Sequence, residues 1–312
     1  MKILITGGAG FIASHVADLY LAAGHQVTCL DNLSTGVKEN LPKGAKFVQM
    51  DIGDPGVDRI FAAGKFDVLN HHAAQIDVRI SVHDPLFDAR VNILGSLNLL
   101  ECCLKHGVKS VQFASTGGAL YGEQDYFPAD EEHRIRPLSP YGIGKYTIER
   151  YLYYYHAVHG LNYTALRYAN VYGPRQNPHG EAGVVAIFCD RLISGREAVI
   201  NGDGKQTRDY VFVEDVARAN LLCLEKPLND SVNIGTGIEN DVNAIYRTLN
   251  KAGNFNAPAK HGPARKGEQQ RSVIRWDKAN RLLGWKPEVM LEVGLKKTLE
   301  FFLAKHRRIA QD

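Results

Sequence analysis

A glycine-rich turn near the N-terminus constrains the fold of this chain more than any other feature. The turn reads GGAGFIA, residues 7–13. It follows a short β-branched apolar run, KILIT, and precedes FIASHVADLYLAAGH, in which apolar residues recur at helical spacing. QVTCLD then returns to a strand-like pattern. The order is strand, helix, strand, with a tight turn that lets a pyrophosphate approach the amides of a helix N-terminus.

An acidic residue closes the second predicted strand where a dinucleotide-binding unit needs one. Asp31 lies 21 residues after Gly10, a position from which a carboxylate accepts hydrogen bonds from an adenosine ribose. It would repel a 2′-phosphate, and LDNLSTG contains no arginine to compensate. The third small position of the turn is Ala13, which the fingerprint allows. The sequence therefore predicts NAD rather than NADP, held at the turn by Gly7, Gly10, Phe11 and Ile12.

The alternation of strands and helices continues beyond the turn. KFVQMD, FDVLNHHAA and SVQFAS read as strands, and the stretch near Leu86 to His106 reads as a helix. These units predict an α/β fold with a doubly wound parallel sheet, the Rossmann arrangement. At the strand ends Asp51 could meet the adenine amino group, and Ala73 and Ala74 leave room for the cofactor. Each could equally serve the local loop.

Composition narrows the classes of partner. A chain of 312 residues with 45% hydrophobic residues can bury a large core, and its net charge of +3 is spread, which argues against nucleic acid. Five cysteines without a CxxC pattern favour free thiols and a cytoplasmic location. The apolar run of MKILITGG is too short for a signal peptide, and no segment reaches membrane-spanning length. We expect no metal, because the adjacent His71 and His72 would point to opposite faces of a strand.

The stretch SPYGIGKYTIER places Tyr141 and Lys145 four residues apart, behind a Ser139-Pro140 pair that predicts a helix start. The two side chains then share one helix face and could share a ligand. A phenol titrates near pH ~10, and a cation some 5 Å away, at an effective dielectric of about 20, contributes on the order of 3 kcal/mol toward its ionisation. The alternative is an amphipathic helix in which the tyrosine packs and the lysine is solvated.

These features, with TGGAGFIASH, DNLSTG, FASTGGALYG and RYANVYGPRQ, resemble the extended short-chain dehydrogenase/reductase family, and within it the UDP-glucose (UDP-galactose) 4-epimerases. The resemblance covers nearly the whole chain and ends with RDYVFVEDVA and ARKGEQQRSVIRWDKANRLLGWKP. It implies that Tyr141 is the acid/base and that Lys145 holds the nicotinamide ribose and lowers the pKa of Tyr141. It also implies further cofactor contacts, at Asn32, Ser34, Thr35, Gly36, Ile52, His72, Gln75, Asn92 and Tyr168.

The third catalytic residue depends on how the loop after SVQFAS is counted. The strand register from Phe113 gives Thr116, with Ser115 as the alternative, whereas counting back from Tyr121 lands on Gly117. The related sugar-nucleotide 4,6-dehydratases follow this hydroxyl with Asp-Glu. This chain has Gly117-Gly118 instead, which argues for reversible oxidation rather than elimination.

A smaller α/β region for the sugar nucleotide is expected after RYANVYGPRQ. We predict an NAD-binding domain at residues 1–170 with 210–238, and a substrate domain at 171–209 with 239–312. Arg208 and Arg265 match the family's two diphosphate arginines. By the same resemblance Ser272 faces the sugar 2-substituent, although it could be a surface serine. The other implied substrate contacts are Asn170, Val184, Val185, Asn201 and Glu268.

The resulting hypothesis is a UDP-glucose/UDP-galactose 4-epimerase, an isomerase of galactose metabolism that uses NAD and a 4-keto intermediate. Its rivals are 4-epimerases for UDP-N-acetylglucosamine or UDP-glucuronate and, in another class, an NAD-sensing module without chemistry. Family members commonly dimerise through the helix that carries the tyrosine. YLYYYHAV fits such a homodimer surface and equally fits a core.

Overall fold

Alternate residues of the first strand enter two different apolar cores, so helices cover the central sheet on both faces. In the computed structural model, which describes residues 1–179, 183–264 and 269–309, Leu4 packs in one core with Phe113. Ile3 and Ile5 pack in the other core with Val16. A parallel sheet buried on both faces is the doubly wound arrangement predicted from the sequence, and that prediction is confirmed.

The large sheet has seven strands in the order β10-β6-β5-β4-β1-β2-β3, and all its pairings are parallel. The chain turns to one side after β1 and crosses to the other side after β3. The ends of β1 and β4 therefore form a switch point, where ligands bind in such sheets. The strands are β1 Lys2–Thr6, β2 Gln26–Asp31, β3 Lys46–Gln49, β4 Val68–His71, β5 Ser110–Thr116, β6 Asn162–Tyr168 and β10 Asp230–Ile234.

The helices that flank this sheet are α1 Phe11–Ala22, α2 Val57–Gly64, α3 Val78–His83, α4 Pro85–Ala89, α5 Gly95–Lys105, α6 Gly117–Leu120, α7 Pro140–His159 and α9 Val213–Glu225. A short 3₁₀ turn covers Lys38–Asn40. The single helix predicted near Leu86 to His106 is wrong in detail, because a π-helical turn at Arg90–Leu94 separates α4 from α5. The turn carries Asn92, whose side chain bonds the backbone of Gln75 rather than facing solvent.

A second, smaller core lies beyond β6. It packs α8, α10 and α12 against short strands, with Phe188, Ile245 and Leu299 at its centre. Strand β9 pairs with β7, β11 and β13, while β12 pairs with β8. The remaining described elements are β7 Asn170–Tyr172, α8 Val184–Ile193, β8 Val199–Asn201, β9 Thr207–Phe212, β11 Glu239–Asp241, α10 Val242–Ala252, β12 Lys260–Gly262, β13 Arg271–Ser272, α11 Asp277–Leu283 and α12 Leu291–Ile309.

The chain passes between the two cores more than once. Strand β10 joins the edge of the large sheet beside β6, and Ala217 of α9 packs in the same core as Val16 of α1. Trp285, just after α11, is buried with Leu166 and Ile234 of the large sheet. The division at residues 170, 210 and 238 stays a prediction. Within the described ranges, no helix combines the length and apolarity needed to cross a bilayer.

Candidate active site

The helix that carries the Tyr141–Lys145 pair begins as the sequence predicts. The Ser139 side chain accepts a hydrogen bond from the amide of Gly142 at 3.2 Å, and Pro140 occupies the first turn. Gly160 ends the helix in the left-handed conformation, with φ of 73°. Residues 141, 145 and 149 therefore lie one turn apart along one face of α7.

Lys145 is held inside the protein rather than in solvent. Its side chain is buried, and its ammonium donates a hydrogen bond to the carbonyl of Ala114 at 2.8 Å. The ammonium lies 4.7 Å from the centroid of the Phe113 ring and 5.9 Å from that of Tyr141. The alternative of a solvated lysine on an amphipathic helix is thus excluded.

The hydroxyl that faces Tyr141 is that of Thr116, at the end of β5. Thr116 lies close enough to the Tyr141 hydroxyl to lower its pKa in part. It also caps α6, because its Oγ1 accepts a hydrogen bond from the amide of Ala119 at 3.2 Å. The Ser115 hydroxyl is instead engaged further along α7, where it donates a hydrogen bond to Glu149 at 2.6 Å. The geometry favours Thr116 over Ser115 as the hydroxyl beside the tyrosine.

The titration of the pair is dominated by burial. Burial raises the pKa of Tyr141, the Asp88 carboxylate raises it further, and the hydrogen bond with Thr116 lowers it in part. The sequence predicted that Lys145 would lower the pKa of Tyr141, and the structure gives the opposite direction. The cost of desolvating the phenolate outweighs the stabilisation that the surrounding protein groups give it. Burial also lowers the pKa of Lys145 to about 8, with Asp88 opposing the change.

The glycine turn lies directly against the end of β4. Gly7 has φ of 69°, and a Cβ there would lie 2.8 Å from the amide nitrogen of Ala73, so only glycine fits. Gly10 precedes α1 and its amide donates to the carbonyl of Gly7 at 2.8 Å. No described side chain caps α1, whose first residues are Phe11 and Ile12. The turn therefore presents helix amides at the switch point, where an anionic group can bind.

The predicted adenosine contacts gather at the ends of β2 and β3. Asp31 accepts hydrogen bonds from the amides of Ala9 at 3.0 Å and Leu33 at 2.7 Å, so it joins the glycine turn to the next loop. Asn32 donates to Asp51 at 2.7 Å. Beside them Gly36 packs on Asp31, Ser34 and Thr35 are exposed, and the Ile52 side chain is buried under Gly95.

A second group of predicted residues lies beyond β4. The His72 ring stacks on Tyr168, with ring centroids 6.0 Å apart, and its Nδ1 is buried without a partner among the described residues. Gln75 and Asn92 are joined by two hydrogen bonds of 2.9 Å, amide to Oδ1 and Nδ2 to carbonyl. Ala73 and Ala74 form the segment between His72 and Gln75. The orphaned imidazole nitrogen suits a site that is completed by a ligand.

The predicted substrate residues divide into two groups. Asn170 lies near Thr116, since a Cβ on Gly118 would be 3.7 Å from the Asn170 Oδ1 and 3.9 Å from the Thr116 Oγ1. Ser272 pairs with Arg208 across β13 and β9. Ser272 is only 3% exposed, which excludes a surface serine. Val184 and Val185 begin α8, and Asn201 ends β8. Arg265 and Glu268 lie outside the described residues.

Sequence reasoning missed two buried acids next to the catalytic pair. Glu149 lies one turn after Lys145 and bonds both Ser115 and Arg167. Asp88, on α4, is 1% exposed and bonds Gln75 and Asn92. For Glu149 the available signal was its spacing, because it lies on the same helix face as Tyr141 and Lys145. For Asp88 it was a lone acid one turn into a helix that begins Asp84-Pro85.

Comparison with known proteins agrees with this geometry. The model of the NAD dependent epimerase/dehydratase family matches residues 3–235. The UDP-glucose 4-epimerase of Mycolicibacterium smegmatis is 43% identical over 314 residues, covering 98% of this chain and 99% of that protein.

Two solved structures are also close. A UDP-glucose 4-epimerase with UDP-glucose from Thermotoga maritima superimposes with a TM-score of 0.96 at 49% identity, covering 98% of this chain and 100% of that chain. The Thermus thermophilus UDP-glucose 4-epimerase in complex with NAD superimposes with a TM-score of 0.92 at 43% identity, covering 97% of this chain and 99% of that chain. The turn at the switch point, the Thr116–Tyr141 contact and these matches together show that the chain belongs to the NAD dependent epimerase/dehydratase family.

Proposed function

We propose that this chain is a UDP-glucose 4-epimerase, which interconverts UDP-glucose and UDP-galactose by reversible oxidation at sugar C4. The observation that carries the proposal is the contact of Tyr141 with Thr116, beside a buried Lys145, at the carboxyl edge of the nucleotide-binding sheet. Two proteins that are 43% and 49% identical to this chain over nearly its whole length are UDP-glucose 4-epimerases. The enzyme is therefore an isomerase, and no net redox change occurs.

The residues present fit NAD. The close approach of Gly7 to Ala73 leaves backbone amides for a pyrophosphate. The His72 Nδ1, which has no partner among the described residues, leaves a buried polar atom to be satisfied. Asp31 uses each carboxylate oxygen once toward the backbone, and lone pairs remain for ribose hydroxyls. NAD, when bound, would take up the C4 hydrogen as hydride and return it to the opposite face of the sugar.

The chain's own residues move the proton. Tyr141, in the phenolate form that the positive charge of Lys145 favours, takes the proton of the sugar 4-hydroxyl. It returns the proton after the 4-keto sugar has rotated about its link to the diphosphate. Thr116, whose hydroxyl lies beside Tyr141, orients this exchange. Lys145, with a pKa of about 8, is mainly charged at pH 7 and places positive charge 5.9 Å from the Tyr141 ring centre.

The loop after β5 argues against elimination of water. Gly117 and Gly118 begin α6 where a dehydratase would carry an acid pair, and neither can transfer a proton through a side chain. Asn170 is the polar side chain next to Gly118, and an amide is not an acid at neutral pH. Oxidation and its reversal are the chemistry that these residues support.

Substrate placement rests on the smaller core. We assign Arg208 to the diphosphate together with Arg265, and Glu268 to the uridine ribose, by resemblance. Ser272, buried beside Arg208, supports a place near the sugar, where its small side chain leaves volume for an acetamido group. UDP-N-acetylglucosamine is therefore a second candidate substrate.

We further propose a cytoplasmic homodimer. All five cysteines are free thiols. The YLYYYHAV stretch is divided: Leu152 and Tyr155 are buried, while Tyr153 and Val158 are exposed by 58% and 60%. Leu94, on the π-helical turn next to α7, is exposed by 60%. Apolar side chains of this size on adjoining helices support a surface for a second copy.

The test is an assay of the purified protein with UDP-glucose, UDP-N-acetylglucosamine, UDP-glucuronate and the dTDP counterparts in parallel. We expect UDP-galactose from UDP-glucose, and transient absorbance of reduced nicotinamide when the sugar nucleotide is added. A product that has lost water, or no product from any UDP-hexose, would refute the proposal.

A further inference from the structure

The catalytic helix faces a buried carboxylate that the reaction described above does not use. Asp88 lies on α4 and is 1% exposed. A Cβ placed on Gly144 would lie 3.5 Å from the Asp88 Oδ2, so this oxygen packs against α7 at the residue that precedes Lys145. A buried carboxylate beside a catalytic pair requires a compensating interaction, since an isolated buried charge is costly.

The second oxygen of Asp88 anchors a small buried network. Its Oδ1 accepts hydrogen bonds from Gln75 Nε2 and Asn92 Nδ2, both at 3.0 Å. Gln75 and Asn92 are joined to each other through the Gln75 backbone. The network thus ties the segment after β4, the π-helical turn and α4 to one point on α7.

We propose that Asp88 is a positioning residue, whose buried carboxylate holds the Lys145 ammonium in its charged form and fixes Gln75 and Asn92 beside the catalytic helix. The inference rests on the proposed function only for its effect on turnover. The hydrogen bonds to Oδ1 and the contact of Oδ2 with α7 fix the position of the carboxylate. Its negative charge stabilises the charged form of Lys145 against burial in an apolar pocket.

Other ionisable groups around Lys145 do not supply this charge in the described residues. His71 and His72 of β4 have their pKa values lowered by burial and by Lys145, so they are neutral at pH 7. Strand β5 and helix α6 contain no ionisable side chain. Arg167 of β6 is paired with Glu149 of α7 at 2.7 Å, and Arg90 of the π-helical turn is exposed. On α3, Arg79 is paired with Asp77.

The charge of Asp88 acts on both members of the pair in the same direction. It raises the pKa of Tyr141 and opposes the burial that lowers the pKa of Lys145. Removing the charge should therefore lower both pKa values together. The consequence for turnover is a pH profile displaced toward acid on both limbs, which a purely structural loss would not produce.

The test replaces the charge without changing the shape of the side chain. In Asp88→Asn, a side-chain carbonyl can still accept from Gln75 and Asn92. The titration of Lys145 is followed by NMR of ¹³C-lysine-labelled protein as purified, with the resonance assigned by its loss in Lys145→Arg. We expect this titration to move to lower pH by on the order of one unit, and the kcat profile to move with it.

The matched control is Asp84→Asn, one turn earlier on the same helix. Asp84 caps α4 by accepting from the amide of Phe87 at 2.8 Å, and asparagine caps equally well. This variant should leave the titration of Lys145 and the pH dependence of kcat unchanged. An unshifted Lys145 titration in Asp88→Asn, or a rate that falls by the same factor at every pH, would overturn the proposal.

The coupling can also be measured from its other partner if Asp88→Asn does not fold. Lys145 lowers the pKa of Asp88, so Lys145→Met should raise the Asp88 titration in ¹³C-aspartate spectra by a similar amount. An unchanged Asp88 titration would again reject the proposal. Both titrations are made without sugar nucleotide, so they remain decisive even if the protein proves to have no epimerase activity.

Discussion

At the scale of single residues, the phenol of Tyr141 separates chemistry from binding. Tyr141→Phe removes the phenol oxygen beside Thr116 but keeps the ring near Lys145. We expect NAD binding to change little and kcat with UDP-glucose to fall by roughly 10²–10⁴-fold, because the proton carrier is lost. The check is kcat beside a direct measurement of bound NAD. A variant that is unfolded, or one that retains turnover, would contradict the assignment.

We expect Asp31 to decide the choice between the two nicotinamide cofactors. Its carboxylate is fixed by the amides of Ala9 and Leu33, so it cannot move away from a 2′-phosphate. We expect NADP to bind weaker than NAD by about 3 kcal/mol, roughly a hundredfold. Calorimetry with each cofactor measures the ratio, and Asp31→Asn should narrow it. Equal affinities in the unmodified protein would refute the prediction.

We expect Ser272 to set how large a sugar 2-substituent can be. It is buried and paired with Arg208 across β13 and β9. Ser272→Tyr should fill the adjoining volume and exclude UDP-N-acetylglucosamine by steric clash, while UDP-glucose, which has only a hydroxyl there, is affected much less. The quantity to measure is the ratio of kcat/KM for the two substrates. If the tyrosine leaves that ratio unchanged, Ser272 is not in the sugar pocket.

At the scale of elements, the periodicity of apolar residues predicts the strands and helices whose positions depend on local sequence alone. KILIT and QVTCLD coincide with β1 and β2, and the capped start of α7 is confirmed. The interruption between α4 and α5 was not predictable from periodicity, because it depends on the bonds of Asn92 to Gln75 and of Asp88 to both. The raised pKa of Tyr141 likewise follows from burial, which neighbouring residues in the sequence do not reveal.

Helix α7 is held against β5 by three successive residues of that strand. The Ala114 carbonyl accepts a hydrogen bond from Lys145, the Ser115 hydroxyl donates one to Glu149, and Thr116 lies beside Tyr141. Glu149 also accepts from Arg167 at 2.7 Å and 3.0 Å, with both side chains buried. The face of α7 that carries the catalytic pair is therefore fixed by a buried ion pair one turn away.

We expect Glu149→Leu to destabilise the protein by about 3–5 kcal/mol, because it leaves the Arg167 charge buried and unpaired. Ser115→Ala, which removes one hydrogen bond and leaves the pair intact, should cost about 1 kcal/mol. Replacing Glu149 and Arg167 together by leucine should recover part of the loss. Urea unfolding of the three variants measures the differences, and equal costs for Glu149→Leu and Ser115→Ala would contradict this account.

At the scale of the whole molecule, the smaller core shows where prediction from the sequence ends. Strand β9 pairs with β7, β11 and β13 through two or three residues each, at distances along the chain that no local pattern encodes. Asp209, at the centre of β9, accepts from Thr236, Gly237 and Ile274 and so joins three separate segments. The resemblance could nominate Arg208 and Ser272, but only the strand pairing brings them together.

The exposed face of α7 predicts how the whole molecule associates. A groove of about 440 Å³ on this helix is lined by Tyr146, Thr147, Arg150, Tyr151 and Tyr154. Val158 lies one turn after Tyr154 and is 60% exposed, so Val158→Lys adds a charge that a self-complementary interface would have to bury. We expect the unmodified protein to be a dimer in light scattering and this variant to dissociate at micromolar concentration.

The matched change is Met290→Lys, at an apolar side chain that is 70% exposed just before α12. It adds the same charge away from α7 and should leave the dimer intact, because a twofold interface buries the same patch on both copies. Dissociation by both substitutions would indicate general repulsion between copies rather than an interface on α7. If the unmodified protein is monomeric at every concentration tested, the homodimer is removed from the proposal.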